Sequence, residues 1–240
     1  MRKLSGGSFM LIIFVALMAY NSITSGNFSN PGQWFYAMVL RLPAIVIGLT
    51  FHEFAHAFSA WKLGDMTPKA QGRVTLNPLA HIDPFGILAL VFVGFGWGRP
   101  VQVNPFAFKK NRRGANIIVD VAGVTTNFIL AFIFTAIYIL SIVQWHQDQY
   151  GALCAILGNV ITINIILMLF NLLPIPPLDG FGIITEIFDL RRYPWYHTLY
   201  NSGMFILLIL VFFGITRYIF TQAVIQSIYG LFFKIWLPIL

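Results

Sequence analysis

Apolar residues fall in six long runs, at roughly 8–25, 36–63, 115–143, 152–173, 196–214 and 219–239, each near the roughly 20 residues that cross a bilayer as a helix. Between the second and third runs, residues 64–114 are rich in Gly, Pro and Asn. There "GRVTLNP" (72–78) and "GWGRPVQVNP" (96–105) each hold a short β-prone core between breakers, which predicts two short strands. The intervening "PFGILALVFVGFG" (84–96) is apolar but too short to span, which predicts a re-entrant or interfacial segment. The pattern therefore predicts an all-α polytopic membrane protein of about six transmembrane helices, with a small β-rich, re-entrant loop region on the cytoplasmic side. No repeat or linker divides it, so residues 1–240 form one membrane-embedded domain. The first run has a 12-residue apolar core, Phe9 to Tyr20, behind Arg2 and Lys3, and reads either as a span or as a signal peptide.

Composition agrees with the pattern: 58% of residues are hydrophobic and only 10% charged. The net charge of +7 invites a nucleic-acid reading, but position decides against it. With six spans and a cytoplasmic N-terminus, 13 of the 15 Lys and Arg fall on or near the cytoplasmic side, leaving Arg41 and Arg217 outside. The charge is topological, both termini are cytoplasmic, and "KKNRRG" is a membrane anchor with scope for anionic-lipid contact. A single cysteine, Cys154, excludes an internal disulfide and a Cys-rich metal cluster.

Inside the second run, His52-Glu53-Phe54-Ala55-His56 is an H-E-x-x-H motif. On a helix the two histidines, four apart, lie on one face about 6 Å apart along the axis, so both can reach one ion. Glu53 lies beside them as a general base. Ionisable residues within a span mark function by default, whereas a buried histidine pair alone is commonly structural. A catalytic zinc site usually has three protein ligands. Asp179 is the natural third, because Pro174, Pro176 and Pro177 in "NLLPIPPLDG" must break the fourth span and re-aim the side chains just beyond the break. The structural alternative for Asp179 is a cap on the next helix.

"HEFAH" on one span followed by "FNLLPIPPLDG" on a later one resembles the site-2 protease family of intramembrane zinc metalloproteases, over about residues 45–190. That resemblance implies one zinc ion held by His52, His56 and Asp179, with Glu53 as the base and Asn171 holding the substrate backbone. The family's Gly-x-x-x-Asn element is matched by Gly123 and Asn127 in "AGVTTN", although Val124 stands where the family usually has proline. Asn127 suits an amide donor to a developing oxyanion; the alternative for Asn127 and Gly123 is helix packing through small and polar residues. No insertion large enough for a PDZ domain and no nucleotide-sensing tail is seen, which resembles the compact bacterial branch and implies a bacterial inner membrane. In the wider family, strands in this loop pair with unwound substrate, a role that falls on the stretch around Val74.

The implied function is hydrolysis of peptide bonds within transmembrane segments of other proteins, with membrane lipids as surroundings and no nucleic-acid partner. A helical amide is shielded by its own hydrogen bonds, so the substrate must unwind first. His56 and His52 lie about 12 and 18 Å from the helix stop expected at Gly64, which sets cleavage toward the cytoplasmic half. The rival is a membrane metal transporter or metal-binding protein using the same ligands without hydrolysis.

Overall fold

The structure, a computed structural model, describes residues 20, 30–87, 97–109, 111–213, 215 and 222–240. Its framework is three long helices: α1 (Pro31–Leu63), α2 (Arg112–Val143) and α3 (Ala152–Asn171). All three are long and apolar enough to cross a membrane. Each of the three packs against the other two. Three shorter helices come next: α4 (Asp179–Phe188), α5 (Trp195–Phe212) and α6 (Gln222–Trp236). Helix α4 lies against α2, and α6 closes over α2 and α3. There Phe232 joins Ala131, Ile161 and Ile165 in a fully buried cluster.

Local chemistry sets the ends of α1. The Asn30 side chain accepts from Gln33 N–H at 3.2 Å and Pro31 takes the first helical position, where a missing N–H costs nothing. At the other end Gly64 adopts a left-handed φ of 114°, which halts the helix at the expected place. Just beyond, the fully buried Asp65 accepts from Thr67 N–H at 2.9 Å and from Asn104 N–H at 2.6 Å. One carboxylate thus ties both ends of the loop to the foot of α1.

The two expected strands are not present among the described residues, which hold only an isolated antiparallel bridge between Ile82 and Gly98. Side chains capture the main-chain donors that a ladder would need. In the first stretch Thr75 Oγ1 accepts from Asn77 N–H at 3.1 Å, and in the second Glu53 Oε2 accepts from Val101 N–H at 3.0 Å and Asp65 Oδ2 from Asn104 N–H at 2.6 Å. Pro78, Pro100 and Pro105 have no N–H to give. The described part of the loop expected to be β-rich is thus turns and short helical pieces, with Val74 at a bend. Of the re-entrant stretch only residues 84–87 are described, and they are helical. The span expected at 8–25 lies outside the described residues apart from Tyr20. Of the six expected spans, the described helices supply three of full length, while α5 and α6 are shorter apolar helices.

Candidate metal centre

Helical spacing delivers the first two groups. His52 and His56, both buried, project from one face of α1 with their rings edge to face, centroids 4.6 Å apart. Helix α2 backs them. His56 Nδ1 lies 2.7 Å from the main-chain oxygen of Val119, and His52 Nδ1 lies 2.7 Å from Asn127 Oδ1. A carbonyl can only accept, so His56 carries a proton on Nδ1, and in the neutral ring it is Nε2 that offers the lone pair. Gly123 supplies the clearance: a Cβ there would meet Cε1 of His56 at 2.6 Å and Cε1 of His52 at 2.7 Å.

The third group arrives from the break after α3. The prolines of "PIPP" end that helix, and the chain doubles back so tightly that a Cβ on Gly180 would meet Leu173 O at 2.7 Å. Leu178 is the N-cap of α4 and makes no side-chain cap, and Asp179 follows it at the start of the first turn. Its Oδ2 lies 3.5 Å from both His52 Nε2 and His56 Nε2. The two Nε2 atoms are 3.0 Å apart, and Asp179 Oδ2 is buried with no hydrogen-bond partner. A triangle of those sides has its corners about 1.9 Å from a common centre, close to zinc–nitrogen and zinc–oxygen bond lengths of about 2.0–2.2 Å. Imidazole nitrogens and an otherwise unpartnered carboxylate oxygen converging in a buried space can hold a cation, and this donor set fits zinc. Among the described residues no other His, Cys, Asp or Glu grouping brings three ligand atoms so close.

Glu53, adjacent in sequence, is held from the loop side. Its Oε2 accepts from the main-chain N–H of Val101 at 3.0 Å, and a Cβ on Gly98 would lie 3.4 Å from Oε1. Arg73 braces this region, donating to the main-chain oxygens of Ala80 and Arg99. Burial and the neighbouring Arg99 charge pull the Arg73 guanidinium below the usual arginine value, against the pull of Glu53. Beyond Asp179 a polar cavity of about 210 Å³ is bordered by Asn116, Asp120, Thr185 and Glu186. The buried Glu186 takes hydrogen bonds of 2.6 Å from both Asn116 and Arg191. Burial works against the Arg191 charge, but the Glu186 bond outweighs it and raises that guanidinium above its usual value.

The structure therefore brings His52, His56 and Asp179 together, with Glu53 beside them and Gly123 against the rings. Asn127 is fully buried, and its amide nitrogen donates to Gly48 O at 3.2 Å and Asn164 Oδ1 at 2.8 Å. Its link to the site is the oxygen facing His52. Asn171 turns its amide back onto Leu167 O of its own helix at 3.0 Å, and Val74 sits in the turn-rich loop. Gly48, Val101 and Asn164 also serve the site, and sequence reasoning missed them. The one available signal was Asn164 itself, one of three amides in the mostly apolar α3.

Residues 139–213 match the family model "Peptidase family M50". The chain is 44% identical over 147 residues to "Putative zinc metalloprotease YwhC" of Bacillus subtilis, covering 60% of this chain and 66% of that protein. It is 30% identical over 166 residues to "Putative zinc metalloprotease Rip2" of Mycolicibacterium smegmatis, covering 65% of this chain and 60% of that protein. The chain thus spans slightly less than two thirds of the length of these curated relatives. No solved structure matches it. The match to the family model over residues 139–213, the two relatives and the ordered pair of motifs agree in one likeness, to peptidase family M50, the site-2 protease family.

Proposed function

We propose that this protein is an intramembrane zinc metalloprotease that hydrolyses peptide bonds within transmembrane segments of other membrane proteins. The observation that carries the reading is the meeting of His52, His56 and the unpartnered Asp179 oxygen, inside helices of membrane-spanning length, with Glu53 adjacent. One zinc per chain fits the single grouping of ligand atoms among the described residues. The relatives named as zinc metalloproteases support the same reading.

Zinc, when bound, supplies a Lewis acid that polarises the scissile carbonyl and lowers the pKa of water. Glu53 takes a proton from the attacking water and passes it to the departing amine. His52, His56 and Asp179 hold the ion, while Gly123 and Asn127 keep the imidazoles in place. The irregular main chain at 99–104, which reaches Glu53 through Val101 N–H, lies where an unwound substrate would pass.

The remaining apolar runs complete six crossings of a bacterial inner membrane, with both termini cytoplasmic, in one domain. Lipids and transmembrane substrates are the partners. The test is zinc analysis of purified protein in bilayers together with cleavage of a panel of membrane segments. Zinc-dependent cleavage is expected. Zinc bound and moved across the bilayer, with no segment cut, would favour a metal carrier instead.

A further inference from the structure

Where the three long helices meet, a chain of side-chain amides runs from α3 to the ring of His52. Asn164 and Asn127 are both 0% exposed. Asn164 Nδ2 donates to Val160 O of its own helix at 2.8 Å, and Asn164 Oδ1 accepts from Asn127 Nδ2 at 2.8 Å. Asn127 Nδ2 also donates to Gly48 O at 3.2 Å, and Asn127 Oδ1 lies 2.7 Å from His52 Nδ1.

Two main-chain carbonyls decide the direction of the whole chain, because a carbonyl can only accept. Val160 O demands the NH2 end of Asn164, which turns the oxygen of Asn164 toward Asn127. Asn127 must then point its own NH2 at Asn164 and at Gly48 O, which leaves its oxygen facing His52. His52 Nδ1 therefore carries the proton. Its Nε2 is bare and faces Asp179 and His56.

Of the two neutral imidazole tautomers, only this one offers a lone pair at Nε2. A flipped Asn127 amide would offer hydrogens to Nδ1 and force the proton onto Nε2, closing the site to a cation. The flip would also set the Asn127 oxygen against two other acceptors at a fully buried position. Gly48 lies at this crossing: a Cβ there would press on Leu167 Cδ1 at 2.7 Å and touch Asn164 Oδ1 at 3.4 Å, so α1 passes close to α3 beside the amides.

We infer that Asn164 is a positioning residue of the metal centre: acting through Asn127, it locks His52 in the tautomer that presents Nε2 to the ion. The inference rests on the reading of His52 as a metal ligand. Partners that orient ligating histidines through the second ring nitrogen commonly change metal affinity by about 10- to 100-fold when removed. A purely structural role predicts no such change. Thr135 provides the comparison, being equally buried on α2 with its hydroxyl donating to Ala131 O of its own helix.

The experiment uses the full chain in bilayers, with zinc affinity measured by chelator competition and the visible spectrum of the cobalt(II)-substituted protein as a second readout. Asn164→Ala should weaken zinc binding by about 10- to 100-fold and alter the cobalt spectrum, while Thr135→Val should match the parent in both. Nitrogen NMR of ring-labelled, metal-free parent protein should report His52 protonated at Nδ1, a measurement that does not depend on any variant folding. Parent-like affinity and spectrum in Asn164→Ala, or an Nε2-protonated His52, would overturn the inference. A parent that binds no zinc but carries the Nδ1 proton would instead remove the metal reading and leave the amide relay standing.

Discussion

Glu53 Oε2 accepts a hydrogen bond from the main-chain N–H of Val101 at 3.0 Å, so the residue next to the first histidine is oriented by a segment 48 positions further along the chain. Glu53→Gln keeps the shape and can still accept that bond, but it cannot take a proton. Turnover of a membrane substrate should fall by about 10² to 10⁴, with zinc content unchanged. Val101→Pro deletes the N–H while leaving the acid, and a misplaced base should lower turnover by about 10- to 100-fold. A cleavage assay with parallel zinc analysis checks both. Undiminished cleavage in Glu53→Gln would remove the proposed base.

Zinc removal should be reversible and visible in stability as well as activity. An ion that binds only the folded protein stabilises it by about 2.7 kcal/mol at a hundredfold excess over Kd. Chelation should therefore lower the unfolding temperature and zinc should restore it. His56→Ala and Asp179→Ala should show no zinc-dependent gain, measured by thermal unfolding in detergent. A full gain in either variant would rule that residue out as a ligand.

At Gly123 a single methyl group is decisive. Its Cβ would lie within 2.7 Å of both imidazoles, which cannot retreat because Val119 O and Asn127 hold their far nitrogens. Gly123→Ala should cost about 1–3 kcal/mol through overpacking and lower zinc occupancy. Parent-like occupancy would show that the rings have room to yield.

Away from the ligands, the buried Glu186 depends on Arg191 and Asn116 for its hydrogen bonds. Arg191→Ala removes one partner and should destabilise the chain by about 1–3 kcal/mol, the lower part of the range being favoured because the Arg191 side chain is 43% exposed. Thermal unfolding reads this directly, and zinc content should not change. Loss of zinc in Arg191→Ala would mean that the polar cavity also holds Asp179 in place.

Legibility in the sequence varies from element to element. The α1 stop at Gly64 is legible because a left-handed cap is a local property of glycine. The histidine pair is legible because helical geometry alone places residues 52 and 56 on one face. The strands expected around Val74 and Val101 do not form. Their β-prone residues are real, but the side chains of Thr75, Glu53 and Asp65 take the N–H groups of Asn77, Val101 and Asn104 that a ladder would use. Asn127 suits an oxyanion donor by residue type, whereas its amide hydrogens are committed to Gly48 and Asn164.

By itself the sequence determined the apolar, membrane-type character, the span positions of α1 to α3 and the candidate ligands, since hydropathy, helical period and proline breaks act over a few residues. Tertiary structure alone decided that the Asp179 oxygen has no partner but the two imidazoles, that Gly123 is a matter of clearance, and that Asn164 can reach His52 through Asn127. Those outcomes depend on separations of a few ångströms between helices that lie far apart in the chain. No periodicity encodes such distances, because they arise only when the small residues of three helices pack together.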